Sequence, residues 1–116
     1  MSDLKNDIMR ITAGLLLGDL PRPSDGNIFN VKSLGQCVAF VRLTRRGSNP
    51  PHVGGCRLEG EDNEVFNEVV WDLICARVVT PENDGLNRLL VHSNARANWE
   101  KLEAAKDDSN HRPSAA

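Results

Sequence analysis

Between residues 2 and 17 the apolar residues Leu4, Ile8, Ile11 and Leu15 return at intervals of four, three and four, with Met9, Ala13 and Leu16 beside them. That period gathers them on one face of a helix. Gly18 accepts the left-handed backbone that ends helices, and Pro21 and Pro23 cannot continue one, so a stop near Gly18 and a turn over residues 21–26 are expected. Residues 27–44 carry two patterns at once. Val31, Leu34, Val38 and Val41 suit a helix, whereas Cys37-Val38-Ala39-Phe40-Val41 equally suits a buried strand. Helix is preferred and strand is the alternative.

Residues 45–60 hold Gly47, Gly54, Gly55, Gly60 and the pair Pro50-Pro51, a density that interrupts regular structure. An irregular stretch of this length is more often functional than a short one. The apolar stripe Val65, Phe66, Val69, Val70, Leu73 and Ile74 then predicts a helix over 63–76, capped by Asp62 or Asn63, with Glu64 in a first turn that favours negative charge. Val78-Val79-Thr80 reads as a strand, 81–87 as a loop turning at Asn83-Asp84-Gly85, and 88–92 as the returning strand of a hairpin. Ser93 or Asn94 caps a closing helix with Ala95, Trp99, Leu102 and Ala105 on one side and a supporting Arg96–Glu100 pair. The polar residues 107–116 are expected to form a disordered tail. The sum is one α+β domain over 1–106, mainly helical, with a C-terminal β-hairpin followed by a helix.

The order helix, strand, polar loop, strand, helix over 63–106 resembles the second half of a winged-helix domain of bacterial type. The run Val70-Trp71-Asp72-Leu73-Ile74-Cys75-Ala76-Arg77-Val78-Val79-Thr80-Pro81 is similar to an apolar helix entering a strand that ends in Thr-Pro. The resemblance implies a small winged-helix-like fold. In DNA-binding members the helix before the wing enters the major groove with a polar and basic outer face. Here that face carries Glu64, Asn67, Glu68 and Asp72, with Trp71 and Cys75 at its border, and carboxylates repel phosphates.

Composition narrows the classes. Of the 116 residues, 40% are hydrophobic and 26% charged, which is globular. The longest apolar stretches, 11–17 and 37–41, fall short of the roughly 20 residues of a membrane helix, and no cleavable leader pattern opens the chain. A cytoplasmic protein of a bacterial system, without membrane partners, is expected. Cys37, Cys56 and Cys75 are widely spaced and odd in number, which suits reduced thiols, with Cys75 packed as a small hydrophobe. A zinc site of Cys37, His52, Cys56 and Cys75 has one close ligand pair where structural sites usually have two, so no metal or other cofactor is expected.

Charge changes the picture most. Residues 26–58 contain five basic and no acidic residues, and residues 59–76 contain six acidic and no basic ones, within a net charge of −2. A near-neutral chain can thus present patches of both signs. The basic residues Arg42, Arg45, Arg46 and Arg57, with Arg88 of the wing, form a candidate contact to nucleic-acid phosphates; alternatively, the two blocks neutralise each other within the molecule. No Gly-Lys-Ser or Gly-Lys-Thr loop and no Gly-x-Ser-x-Gly elbow occurs, and His52 is the one histidine in a plausible active loop, so catalysis has no positive signal and no catalytic residue is assigned. The leading expectation is a non-catalytic protein-interaction or adaptor module using Glu64, Glu68, Trp71 and Asp72 toward a protein partner or a second copy. The rival is a nucleic-acid-binding regulator, and a small hydrolase built on His52 trails both.

Overall fold

The structure, a computed structural model, describes residues 3–23, 29–82 and 88–111. Helix α1 (Asp3–Leu17) is its centre. Ile8, Met9, Ile11, Thr12, Ala13, Gly14, Leu15 and Leu16 are all buried, so the second half of α1 is covered nearly all round, as befits a helix apolar on every side. Among the described residues the one buried hydroxyl, of Thr12, donates to the Ile8 carbonyl at 2.7 Å. Helix α2 (Val31–Arg45) adds Leu34, Cys37, Val38 and Ala39 to the core, which resolves the ambiguity of 27–44 in favour of a helix. Its cap is Asn30, whose side chain accepts the Ser33 N–H at 3.1 Å.

The irregular stretch after α2 contains one 3-10 turn, Val53–Gly55, and pins itself to the core through buried Val53 and Cys56. Helix α3 (Glu61–Cys75) turns Val65, Phe66, Val69, Val70 and Leu73 inward against α1. It begins two residues earlier than its apolar stripe suggests. Gly60, at φ 57° and ψ −127°, is the N-cap, and no side chain caps it. Asp62 is not the cap, because its carboxylate is drawn to Arg42. The space between α2 and α3 is narrow: a Cβ on Gly35 would stand 3.3 Å from the Phe66 ring.

Strands β1 (Val79–Pro81) and β2 (Leu89–Val91) form an antiparallel hairpin in the register Val79 to Val91, Thr80 to Leu90 and Pro81 to Leu89. The expected turn at residues 83–85 lies outside the described residues, as do 24–26 of the turn after α1. On the other edge of β2, Asn30 bridges Arg88 and Leu89 N–H donates to the Phe29 carbonyl at 2.8 Å, so the chain entering α2 lies beside the hairpin. Helix α4 (Ala95–His111) covers α1 with Ala95 and Trp99. Leu102 is half-buried and Ala105 is exposed, against expectation, because α4 leaves the core after that turn. The helix also continues through His111, into the segment for which disorder is expected. Among the described residues no helix is long and apolar enough to cross a membrane. Among the described residues the architecture is α+β: four helices and one small hairpin.

The C-terminus of α1 shows how distant segments are tied together. Gly18, at φ 85°, reverses the chain so that Asp19 and Leu20 N–H both reach the Gly14 carbonyl, at 2.8 and 3.1 Å. Arg22 donates to the Leu15 and Leu16 carbonyls at 3.0 and 3.2 Å, and Arg96 of α4 donates to the Leu17 carbonyl at 3.3 Å. Each of the last four carbonyls of α1 thus has a partner, and two guanidiniums sit at the negative end of its dipole.

Candidate functional site

The outer side of α3 is built by the same period that buries its inner side. Val65, Val69 and Leu73 face α1, so Glu64, Asn67, Glu68, Trp71 and Cys75 face outward, and all five are exposed. Trp71 retains 54% of its surface, although a tryptophan on a stripe boundary is commonly mostly covered. Cys75 follows the same geometry. It lies one turn beyond Trp71 on the outward side and is exposed, and the cysteines that pack as small hydrophobes are Cys37 and Cys56.

The acidic residues of α3 divide into engaged and open ones. Lys5 of α1 reaches Asp72 at 2.9 Å and Glu68 at 3.8 Å, and the Asp72 hydrogen bond holds the Lys5 ammonium above its ordinary pKa. Asp72 is half-buried at the flank of the face, whereas Glu68 stays largely exposed. Glu64 makes no ion pair among the described residues and lies next to Glu68 on the open side. The sequence-predicted set Glu64, Glu68, Trp71 and Asp72 therefore forms one contiguous surface, with Asp72 tied to α1.

The five candidate arginines do not converge. Arg42, 12% exposed, lies where α1, α2 and α3 meet; its Nη1 donates to Asp62 Oδ2 at 3.0 Å and its Nε stands 3.3 Å from Asp7 Oδ2. Arg45 pairs with Asp7 at 3.6 Å, and Arg88 with Glu82 at 3.0 Å. Arg46 is the C-cap of α2. Arg57 lies toward the other end of that helix, roughly 20 Å away along it, in an open groove of about 400 Å³ shared with Val31, Lys32, Asn63 and Asn67. Arg46 and Arg57 are exposed and make no ion pair among the described residues. Among the described residues the two charge blocks thus touch at one point, through Arg42 and Asp62.

Sequence reasoning missed Lys5, Asp7, Arg22 and Asp19. Glu100, four residues on, supports Arg96 through its charge as expected, but the two hydrogen bonds of Arg96, at 2.7 and 2.9 Å, go to Asp19. Arg96 and Asp19 are 77 positions apart, and no local spacing signals such a pair. The hydrogen bond from Arg96 lowers the Asp19 pKa, and that from Asp19 raises the Arg96 pKa.

The loop candidates give no catalytic arrangement. His52 is exposed, and its carbonyl accepts the Cys56 thiol at 3.6 Å. His92 accepts the Asn94 N–H on Nδ1 at 3.0 Å, at the entry to α4. Among the described residues no three His, Cys, Asp or Glu side chains gather as a metal site would require; Cys75 lies exposed on α3 while Cys37 and Cys56 are buried elsewhere. Compared with known protein families, with curated proteins and with solved structures, the chain matches none.

Proposed function

We propose that the protein is a non-catalytic interaction module of winged-helix-like fold, working through the exposed side of α3. One observation carries this: Trp71, 54% exposed, stands between acidic residues on the outer side of α3. An aromatic anchor within a polar rim is the pattern that protein interfaces favour, and Trp is among the residues whose truncation costs most. The winged-helix reading draws support from the placement of 29–30 beside β2, giving the lateral order 29–30, β2, β1 ahead of a closing helix. The departure from a helix-turn-helix is the connection between α2 and α3, fifteen residues (46–60) where a DNA-binding motif uses a short turn.

The nucleic-acid alternative has less support, because Arg42, Arg45 and Arg88 already pair with carboxylates. The test is a photo-crosslinking side chain, benzophenone-alanine, placed at position 71 of the full chain in cells, with the same group at exposed Glu100 of α4 as control. A discrete protein adduct from position 71 and none from position 100 is expected. Adducts no stronger than the control would overturn the proposal.

A further inference from the structure

The groove between α2 and α3 has a lining unlike the surface around it. Lys32, Gly35 and Gln36 of α2 face Asn63, Phe66 and Asn67 of α3 across it, each set following the steps of one helix face. Arg57 and Leu58, from the irregular stretch that joins the two helices, close one side. At about 400 Å³ the groove falls within the size range of sites for small molecules. Gly35 carries no side chain into it, so the edge of the Phe66 ring, with half-buried Val31 and Leu58, gives it an apolar floor.

The polar groups of the lining are cations and amides. Lys32 and Arg57 are exposed and make no ion pair among the described residues, and the side-chain amides of Gln36, Asn63 and Asn67 make no hydrogen bond among them. No carboxylate lines the groove, although five acidic residues lie between 59 and 68. Asp62 is held by Arg42, Glu68 is paired with Lys5, and Glu64 lies on the outer side of α3. The first turn of α2, the positive end of its dipole, supplies Val31 and Lys32 to the wall.

We propose that this groove binds a small organic phosphate, its phosphate group held between Lys32 and Arg57 and its organic part lying over Phe66 within reach of the amides. A doubly charged group answers two cations, and the guanidinium fork of Arg57 matches phosphate oxygens as a pair while Lys32 acts as a point charge. The amides of Gln36, Asn63 and Asn67 both donate and accept, so they suit the hydroxyl, carbonyl or ring-nitrogen groups of an organic body. An inorganic ion would leave them and the apolar floor unused. The acidic residues nearby oppose any anion, and two charge-assisted contacts set against them correspond to a dissociation constant of about 1 mM. The groove is separate from the strip around Trp71, so its occupancy is decided independently of what the outer side of α3 binds.

Titration of the isotopically labelled full chain with phenyl phosphate, followed by backbone amide shifts at fixed ionic strength, tests this. Saturable shifts centred on Lys32, Gly35, Arg57 and Asn67 are expected. Lys32→Ala and Arg57→Ala should each weaken binding about fivefold or more, and Arg57→Lys, which keeps the charge and loses the fork, should recover part of the loss. All three positions are exposed, and the unliganded spectra show whether the variants fold as the wild type does. Arg46→Ala removes an exposed arginine from the far end of α2 and should leave binding unchanged. Shifts that stay linear to 20-fold above that constant, or that Arg46→Ala reduces as much as Arg57→Ala does, would overturn the proposal. Phenol, which lacks the phosphate, should bind far more weakly; equal shifts from it would mean an apolar recess with no anion site. Inorganic phosphate should bind several-fold more weakly as well, and an affinity equal to that of phenyl phosphate would overturn the assignment to an organic phosphate.

Discussion

Arg42 and Asp62, twenty residues apart, bring the basic and acidic segments of the chain into contact at a single hydrogen bond of 3.0 Å. The same guanidinium stands 3.3 Å from Asp7, so one side chain fastens α2 to both α1 and α3. Its side chain is 12% exposed while the two carboxylates remain partly in water, which limits the energy that solvent screening leaves to the pair. Arg42→Met should remove about 1–2 kcal/mol of stability, since it leaves two carboxylates close together without their cation. Urea denaturation of the two proteins measures this directly. An unchanged midpoint would mean that Arg42 is ordinary surface.

The Asp19–Arg96 pair predicts a pH dependence with a definite sign. Its folded pKa lies below the ordinary aspartate value because Arg96 donates to the charged carboxylate. Between the two values the unfolded chain binds the proton that the folded one refuses, so stability rises with pH there. The contribution is complete above the unfolded pKa and fades as pH falls through the folded one. The stability gap between wild type and Asp19→Asn should therefore be constant near neutrality and shrink in acid. A gap that widens as pH falls would contradict the pairing.

The three cysteines should separate by reactivity. Cys37 and Cys56 are at most 2% exposed, and Cys75 lies on the outer side of α3. A thiolate must be reached before it can react, so Ellman's reagent should titrate one thiol per native chain and three after denaturation. Cys75→Ser should abolish the native reaction. Rapid labelling of two or three thiols in the folded protein would put Cys37 or Cys56 outside the core.

What was legible in the sequence follows from the range over which each signal acts. The stripe of α1, the stop at Gly18 and the stripe of α3 are local patterns, and each appears where expected, because burial against neighbouring helices reinforces the same period that the residues already carry. The start of α3 was misplaced because Asp62 looks like a cap but is drawn to Arg42, and Gly60 supplies the entry by backbone geometry alone. Cys75 was expected inside because it is apolar, yet the helical period carries it outward with Trp71. Sequence left open whether Trp71 points in or out, since a residue at a stripe boundary can do either, and the packing of α1 against Val69, Val70 and Leu73 decides it. The ion pairs of Lys5, Asp7 and Asp19 join elements remote in sequence and had no local signature.

The rival use of the arginines gives the last prediction. A protein that neutralises Z phosphates on duplex DNA loses affinity with salt at a slope of about −0.9Z, so the slope counts the cations available. Of Arg42, Arg45, Arg46, Arg57 and Arg88, three already hold carboxylates, and a phosphate would have to displace Asp7, Asp62 or Glu82 to gain them. Arg46 and Arg57 are open but stand toward opposite ends of α2, with Lys32 near the second. Any duplex binding should therefore be confined to low salt with a slope of about −2 or shallower, and Arg46→Ala with Arg57→Ala should flatten it by nearly that amount. Fluorescence anisotropy with a labelled duplex over a salt series measures the slope. A slope near −4.5 that Arg42→Ala, Arg45→Ala and Arg88→Ala each reduce would show that all five arginines reach phosphates, the carboxylate pairs opening to let them, and would move the protein into the nucleic-acid class.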